Sequence, residues 1–172
     1  SMFLAFSGLP SSGKSSTARA LGRILEIETL LEPEETDWPE LVRERETMGA
    51  FTALTWFRTV RVPQLFIAER KPRKGIPIIV DSYYDWERLP KADVLVFLRL
   101  DEGTWTEFMK KRDRDFDRSA QLRSHFEMQD LMLEAAQRTS KEHHTKLIVI
   151  EQRAGSPEET ARQVERKLQE LV

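Results

Sequence analysis

An eight-residue segment near the amino terminus constrains the fold of this chain more than any other feature. The segment, GLPSSGKS, runs from Gly8 to Ser15, follows an apolar run from Met2 to Phe6 and precedes a helical pattern. This G-x-x-x-x-G-K-[ST] arrangement, the Walker A pattern, is typical of a loop whose backbone N–H groups surround phosphate oxygens. The helix that follows adds the positive end of its dipole. The segment therefore predicts a phosphate-binding loop.

Each part of this loop has an expected contact with a nucleoside triphosphate. The Lys14 ammonium is expected to reach the β- and γ-phosphates, and the Ser15 hydroxyl to complete the shell of a Mg²⁺ ion. The other residues predicted to bind the nucleotide are Gly8, Ser11, Ser12, Gly13 and Ser16. The alternative is an ordinary glycine-rich turn before a helix, which the strand–loop–helix context disfavours.

Short apolar runs alternate with helical patterns along the rest of the chain. Runs of this length are typical of strands that are buried on both faces. They cover Met2 to Phe6, Ile76 to Val80, Val94 to Leu98, Leu147 to Ile150 and, more weakly, Ile27 to Leu31.

Helices are predicted between these runs, including a long one from about Ala50 to Arg70. The last helix begins with a capping box of Ser156 and Glu159 and has Pro157 at its first position. The alternation predicts one α/β domain over residues 1–172. Its expected architecture is three α/β/α layers around a mostly parallel five-stranded sheet.

The composition excludes several classes of function. Lys and Arg number 27 and Asp and Glu 29, a net charge of -2, which argues against a dedicated nucleic-acid binder. Without cysteine the chain has no disulfide, thiolate zinc site or cysteine nucleophile, and it suits a reducing compartment such as the cytoplasm. No apolar run reaches the roughly 20 residues that cross a bilayer, so a membrane partner is not expected.

The absence of asparagine narrows the class of phosphate-loop protein. A GTPase reads guanine with an Asn-Lys-x-Asp motif, which this chain cannot form. The asparagine of the protein-kinase catalytic loop is excluded in the same way. A small phosphotransferase remains as the interpretation.

Further segments resemble the P-loop nucleoside and nucleotide kinase superfamily. Leu31-Glu32-Pro33, followed by Trp38, is similar to the Glu-Pro segment after the second strand of deoxynucleoside kinases. Ala50-Phe51-Thr52 resembles the start of their next long helix, and the spacing of Phe57 and Arg61 is similar to the substrate helix of thymidylate kinases.

Two more segments carry the resemblance. Val80-Asp81-Ser82-Tyr83 lies where both families have an acidic-Arg triplet, with Ser82 in place of the arginine. Lys111 to Arg118 resembles their arginine-rich lid, here at about residues 110–120.

The resemblance implies transfer of the γ-phosphoryl group of ATP to a (deoxy)nucleoside or a nucleoside monophosphate. It implies Glu32 as the general base, cations over the phosphates at Arg112, Arg114 and Arg118, and an acceptor site at Trp38, Phe57, Arg61 and Tyr84. A homodimer is among the expected partners. The Glu-Pro segment favours the nucleoside, whose hydroxyl proton needs a base.

Alternatives remain open for several of these residues. Glu32 could be a solvated loop residue, and the arginines could form a surface salt-bridge face. Asp81 ends a strand where open α/β sheets bind ligands and is the predicted holder of a magnesium-bound water. Asp101 is the competitor, but it is well placed to cap a helix that begins near Thr104.

Two other functions also fit the sequence. The first is a small-molecule kinase that acts on a non-nucleoside hydroxyl through the same phosphate loop. The second is a nucleotide-binding regulatory module without turnover, which Ser82 in place of the arginine makes worth testing.

Overall fold

The sheet at the centre of the molecule is built from parallel strands in the order β2-β3-β1-β4-β5. A computed structural model describes residues 2–44, 50–83, 89–112 and 122–171. Its central strand β1 pairs with β3 on one side and with β4 on the other. The strands are β1 Phe3–Gly8, β2 Glu28–Leu30, β3 Ile78–Val80, β4 Val94–Arg99 and β5 Lys146–Glu151.

Helices connect the strands and cover both faces of the sheet. Within the described residues they are α1 Lys14–Leu25, α2 Glu40–Arg43, α3 Ala50–Arg73, α4 Glu102–Arg112, α5 Leu122–His143 and α6 Pro157–Glu170. A short 3₁₀ helix, Glu35–Asp37, precedes α2. In these stretches of the chain, no helix is both long enough and apolar enough to cross a membrane.

Alternate side chains of β1 enter two separate apolar layers, as the two-residue period of a strand requires. Leu4 and Phe6 pack in the layer that α1 and α6 cover, with Ala18, Leu21, Ala161 and Val164. Phe3 and Ala5 pack in the layer that α3 and α5 cover, with Leu65, Ala68 and Ala136. The predicted three-layer α/β/α architecture with a five-stranded parallel sheet is confirmed.

The element boundaries differ from the predicted ones where pairing or a turn decides them. Strand β1 continues to Gly8 because Ser7 and Gly8 pair with Phe97 and Leu98 of β4. Ile76 lies outside β3 and is 41% exposed, since the turn at Gly75, with φ +77°, follows the end of α3.

The predicted start of the last helix is confirmed. Ser156 is the N-cap of α6, its hydroxyl accepts a hydrogen bond from the Glu159 N–H at 3.2 Å, and proline occupies the first turn. This cap satisfies one of the backbone donors that a helix leaves unpaired at its start.

Candidate functional site

The loop between β1 and α1 has a backbone that only glycine accommodates at two positions. Gly8 and Gly13 have φ angles of +144° and +89°. A Cβ atom on Gly8 would lie 2.8 Å from the Leu98 carbonyl oxygen, and one on Gly13 would lie 2.8 Å from Nε2 of Gln152. Both glycines of the pattern are therefore required by conformation and by space.

Neutral side chains from distant segments hold this loop. The indole Nε1 of Trp105, on α4, donates to the Pro10 carbonyl at 2.8 Å. The Gln152 amide donates to the Ser12 carbonyl at 3.1 Å and accepts from the Thr160 hydroxyl at 2.7 Å. Sequence reasoning missed these residues. The available signal was the place of Gln152 just after an apolar strand, at the sheet edge where α/β proteins bind ligands.

The Lys14 ammonium lies under the loop and bonds to its carbonyls. It donates to Gly8 O at 3.1 Å and to Leu9 O at 2.8 Å. Burial lowers the pKa of Lys14, and the carboxylates of Glu32 and Asp81 act in the opposite direction. A polyphosphate at the loop would give this ammonium a stronger anionic partner than two carbonyl oxygens.

The same loop contains a buried polar atom without a partner among the described residues. The Ser12 hydroxyl is buried, and no atom of the described residues forms a hydrogen bond with it. A buried hydroxyl without a partner is destabilising, so a ligand oxygen at this point would satisfy it.

Asp81, the residue after β3, joins the loop to the second strand. Its side chain is 1% exposed, and its Oδ2 accepts a hydrogen bond from the Ser15 hydroxyl at 2.7 Å. The backbone N–H of Glu32 lies 3.1 Å from both carboxylate oxygens. Because the Ser15 hydroxyl donates a hydrogen bond to Asp81, the lone pairs of the Ser15 oxygen stay available to a cation.

Glu32 lies two residues beyond β2, and its carboxylate is held from β3. Its Oε1 accepts a hydrogen bond from the Ser82 hydroxyl at 2.7 Å. Ser82 therefore orients the carboxylate that is predicted to be the base. The carboxyl ends of the parallel strands bring four predicted site residues together at one edge of the sheet, namely Lys14, Ser15, Glu32 and Asp81.

Two of the predicted acceptor residues, Trp38 and Phe57, contact each other next to the Glu32-Pro33 segment. Trp38 is 5% exposed, donates from Nε1 to the Pro33 carbonyl at 2.9 Å and contacts the Phe57 ring edge-to-face at 4.9 Å. Trp38 thus fixes the Glu32-Pro33 segment and Phe57. The Phe57 ring itself is half-buried.

The expectation that Arg61 faces an acceptor is corrected. Its side chain is 0% exposed, and its guanidinium forms a buried ion pair with Asp81. The reason is helical periodicity: Arg61 lies on the face of α3 that carries the buried Leu65 and Ala68. There its charge compensates the charge of the Asp81 carboxylate.

The remaining predicted residues have different outcomes. Arg112 is the last residue of α4, and its side chain, like all of Arg114, Arg118 and Tyr84, lies outside the described residues.

The prediction that Asp101 caps a helix is confirmed, since its Oδ1 accepts from the Thr104 N–H at 2.8 Å. This hydrogen bond lowers the pKa of Asp101.

By sequence, neither a family model nor a curated protein matches the chain. By structure, the chain is similar to a deoxyadenosine kinase from M. mycoides with bound dCTP. The TM-score is 0.70 at 18% identity, over 98% of this chain and 100% of that chain. The same enzyme with bound dATP aligns at TM-score 0.70 and 14% identity over the same shares.

A shikimate kinase from Bacteroides thetaiotaomicron is a more distant likeness. It aligns at TM-score 0.54 and 15% identity over 98% of each chain. At these identities the likenesses show the fold alone, which this chain shares with these two kinases.

Proposed function

We propose that this protein is an ATP- and Mg²⁺-dependent kinase that transfers the γ-phosphoryl group to the hydroxyl of a nucleoside. The observation that carries the proposal is the contact of Asp81 with both Ser15, in the phosphate loop, and Glu32, the candidate base. This contact supports a site in which the Glu32 carboxylate would lie close to the γ-phosphate of a bound triphosphate.

The nucleotide part of the site fits a triphosphate. The unpartnered Ser12 hydroxyl, the loop N–H groups and the Lys14 ammonium would bind its phosphate oxygens, with Gly8, Ser11, Gly13 and Ser16 completing the loop. Ser15 and Asp81 would hold Mg²⁺ together with the phosphates. When bound, that cation would offset the negative charge on the phosphates.

Glu32 supplies the base that a hydroxyl acceptor needs. As the acceptor oxygen forms its bond to the γ-phosphorus, the bond between that phosphorus and the β–γ bridging oxygen breaks and ADP departs. The hydroxyl proton passes to the Glu32 carboxylate. Ser82 holds this carboxylate at 2.7 Å and so fixes where the proton is received.

The charges near Glu32 favour a nucleoside over a nucleoside monophosphate. A monophosphate needs cationic clamps at its binding site, and of the two candidates on α3, Arg58 and Arg61, Arg61 is paired with Asp81. The half-buried ring of Phe57, in edge-to-face contact with Trp38, is our candidate for stacking on the base. Tyr84 stays a prediction for the acceptor site. Arg112, Arg114 and Arg118 stay predictions for cations over the phosphates.

The exposed apolar side chains of α3 and α5 support a homodimer. These helices cover the same face of the sheet. Among the described residues of these helices, the large apolar side chains between 41% and 61% exposed are Leu54, Phe66, Ile67, Met128 and Leu131. A cytoplasmic location is proposed on the absence of cysteine alone.

A non-nucleoside acceptor is the second candidate, because a shikimate kinase shares the fold. ADP formation should therefore be measured with deoxynucleosides, ribonucleosides, their 5′-monophosphates and small alcohols that include shikimate. We expect turnover with at least one nucleoside and much weaker turnover with its monophosphate. Turnover only with a non-nucleoside alcohol would support the second candidate. ATP binding without turnover on any acceptor would support a regulatory module.

A further inference from the structure

A fully buried arginine contacts the acceptor side of the site, the part that consists of the Glu32 segment, Asp81 and Ser82. Arg61, on α3, is 0% exposed, and its NH2 group forms an ion pair with Asp81. Its NH1 group donates to the Leu30 carbonyl at 3.3 Å. The guanidinium therefore bonds at the same time to the end of β2 and to the residue after β3.

Burying such a pair is unfavourable unless both charges are compensated. A buried ion pair adds little to stability on average, and an apolar pair of similar volume would often stabilise the protein as well. The pair therefore calls for an explanation other than stability. The neighbours of Asp81 offer one.

Asp81 connects Arg61 to Ser15 and to Glu32. Its carboxylate oxygens accept hydrogen bonds from the Ser15 hydroxyl and from the Glu32 N–H. Leu30, the second contact of Arg61, lies two residues before Glu32 in the chain. A shift of the guanidinium would thus move the Glu32 segment through two separate contacts.

We propose that Arg61 is a positioning residue for Glu32, which it acts on through Asp81 and the Leu30 carbonyl. This proposal rests on the proposed function, in which Glu32 receives the acceptor proton. A guanidinium suits the task because its donors diverge in a rigid plane and bond to two separate acceptors, whereas an ammonium is a single point charge.

The first test is Arg61→Lys, which keeps the charge and loses the two-way contact. The expected result is a fall in kcat of about tenfold or more, because small displacements of a reacting group have large effects on rate. The KM for ATP and the Kd of a non-hydrolysable ATP analogue should stay within about twofold, since the phosphate loop keeps its own contacts. Arg70→Lys, at an exposed position of the same helix, is the matched control and should leave all three values unchanged.

A second variant covers the case in which Arg61→Lys does not fold. Arg61→Ala, prepared and assayed with methylguanidinium, leaves a cavity that this cation fits. Titration with methylguanidinium should raise kcat several-fold at constant KM for ATP, and methylammonium at equal concentration should not. A purely structural arginine would restore folding with the cation but would not make kcat per folded molecule follow its concentration.

Three outcomes would overturn the proposal. If Arg61→Lys raises the acceptor KM and leaves kcat unchanged, Arg61 contacts the acceptor directly. If it behaves like Arg70→Lys, or if methylguanidinium has no effect on kcat of Arg61→Ala, Arg61 has no positioning role. If the unaltered protein forms no ADP with any acceptor, the proposed function fails and this inference fails with it. Normal turnover with an unaffected Arg61→Lys would contradict this inference alone.

Discussion

Two neutral side chains from distant segments bond to the phosphate loop, whereas a buried ion pair stands beside the Glu32 segment on the acceptor side of the same site. Trp105 and Gln152 bond to loop carbonyls, and neither carries a charge. On the acceptor side, the Glu32 segment is fixed by the Asp81 carboxylate, which is paired with the buried Arg61. The difference follows from the ligands that each side is proposed to bind.

A polyphosphate brings its own negative charge, so the loop needs donors and one accessible cation rather than buried ion pairs. Lys14 serves as that cation and rests on loop carbonyls. A neutral hydroxyl brings no charge, so the protein must supply and hold the carboxylate itself. Substitutions on the loop side should therefore alter nucleotide use, and those on the acceptor side should alter the chemical step.

The largest effect is expected from Lys14→Ala on the loop side. It removes the cation that is expected to reach the β- and γ-phosphates, and turnover should fall by about two orders of magnitude or more. Folding should survive, because the hydrogen bonds of the Lys14 side chain to the described residues are local ones to two carbonyls of its own loop. ADP formation and circular dichroism test both points, with Lys167→Ala on α6 as the control. A folded, fully active Lys14→Ala protein would refute the phosphate-loop assignment.

The next largest effect is expected on the acceptor side, from Glu32→Gln. The amide keeps the shape and removes the basicity, so kcat should fall by about 10²-fold while the KM for ATP changes little. Glu34→Gln, at an exposed position of the same segment, is the matched control and should be mild. Full activity of folded Glu32→Gln on the best nucleoside would remove the base from the proposal.

The two sides also differ in how far the sequence predicts them. The loop pattern lies within one short segment, so its glycines, lysine and serine could be predicted together, and Gly8 and Gly13 have the positive φ angles that suit glycine. Four of the strands were predicted from nearly continuous apolar runs, whereas β2 lies in a run that Glu28 and Thr29 interrupt. Their ends were less predictable, since pairing with β4 rather than apolar character carries β1 on to Gly8.

The acceptor side depends on contacts between residues far apart in the chain, which one sequence does not reveal. Arg61 and Asp81 are 20 positions apart, and Ser82 and Glu32 are 50 apart. Glu32 and Asp81 could be proposed because each follows a strand. Arg61 points inward to Asp81 because of how α3 packs on the sheet. Gln152 reaches Ser12 because β5 lies beside β4.

A smaller effect is expected from Gln152→Leu, which loosens the loop side only. It leaves the Ser12 carbonyl and the Thr160 hydroxyl without their partner, so the free energy of unfolding should fall by about 1–3 kcal/mol. The KM for ATP should rise more than kcat falls.

Gln129→Leu is the matched control, since its buried amide bonds to the Leu100 backbone instead of the loop. It should lower stability and leave the KM for ATP unchanged. Equal KM values for the two variants would contradict this role of Gln152.

The smallest effect is expected from Asp101→Ala, at a strand end that belongs to neither side. Asp101 resembles Asp81 in following a strand, but it is exposed and its hydrogen bonds from Thr104 cap α4. These bonds lower its pKa below 3.8, so its contribution to stability is present above that pH and is lost as the pH falls through the lowered pKa. Urea unfolding of Asp101→Ala should show a deficit at neutral pH that vanishes in strong acid, with kcat unchanged. Asp130→Ala, at an exposed position on α5, controls for the loss of a surface charge. A pH-independent deficit in Asp101→Ala would mean that the cap acts without its charge, and a fall in kcat would make Asp101 part of the site after all.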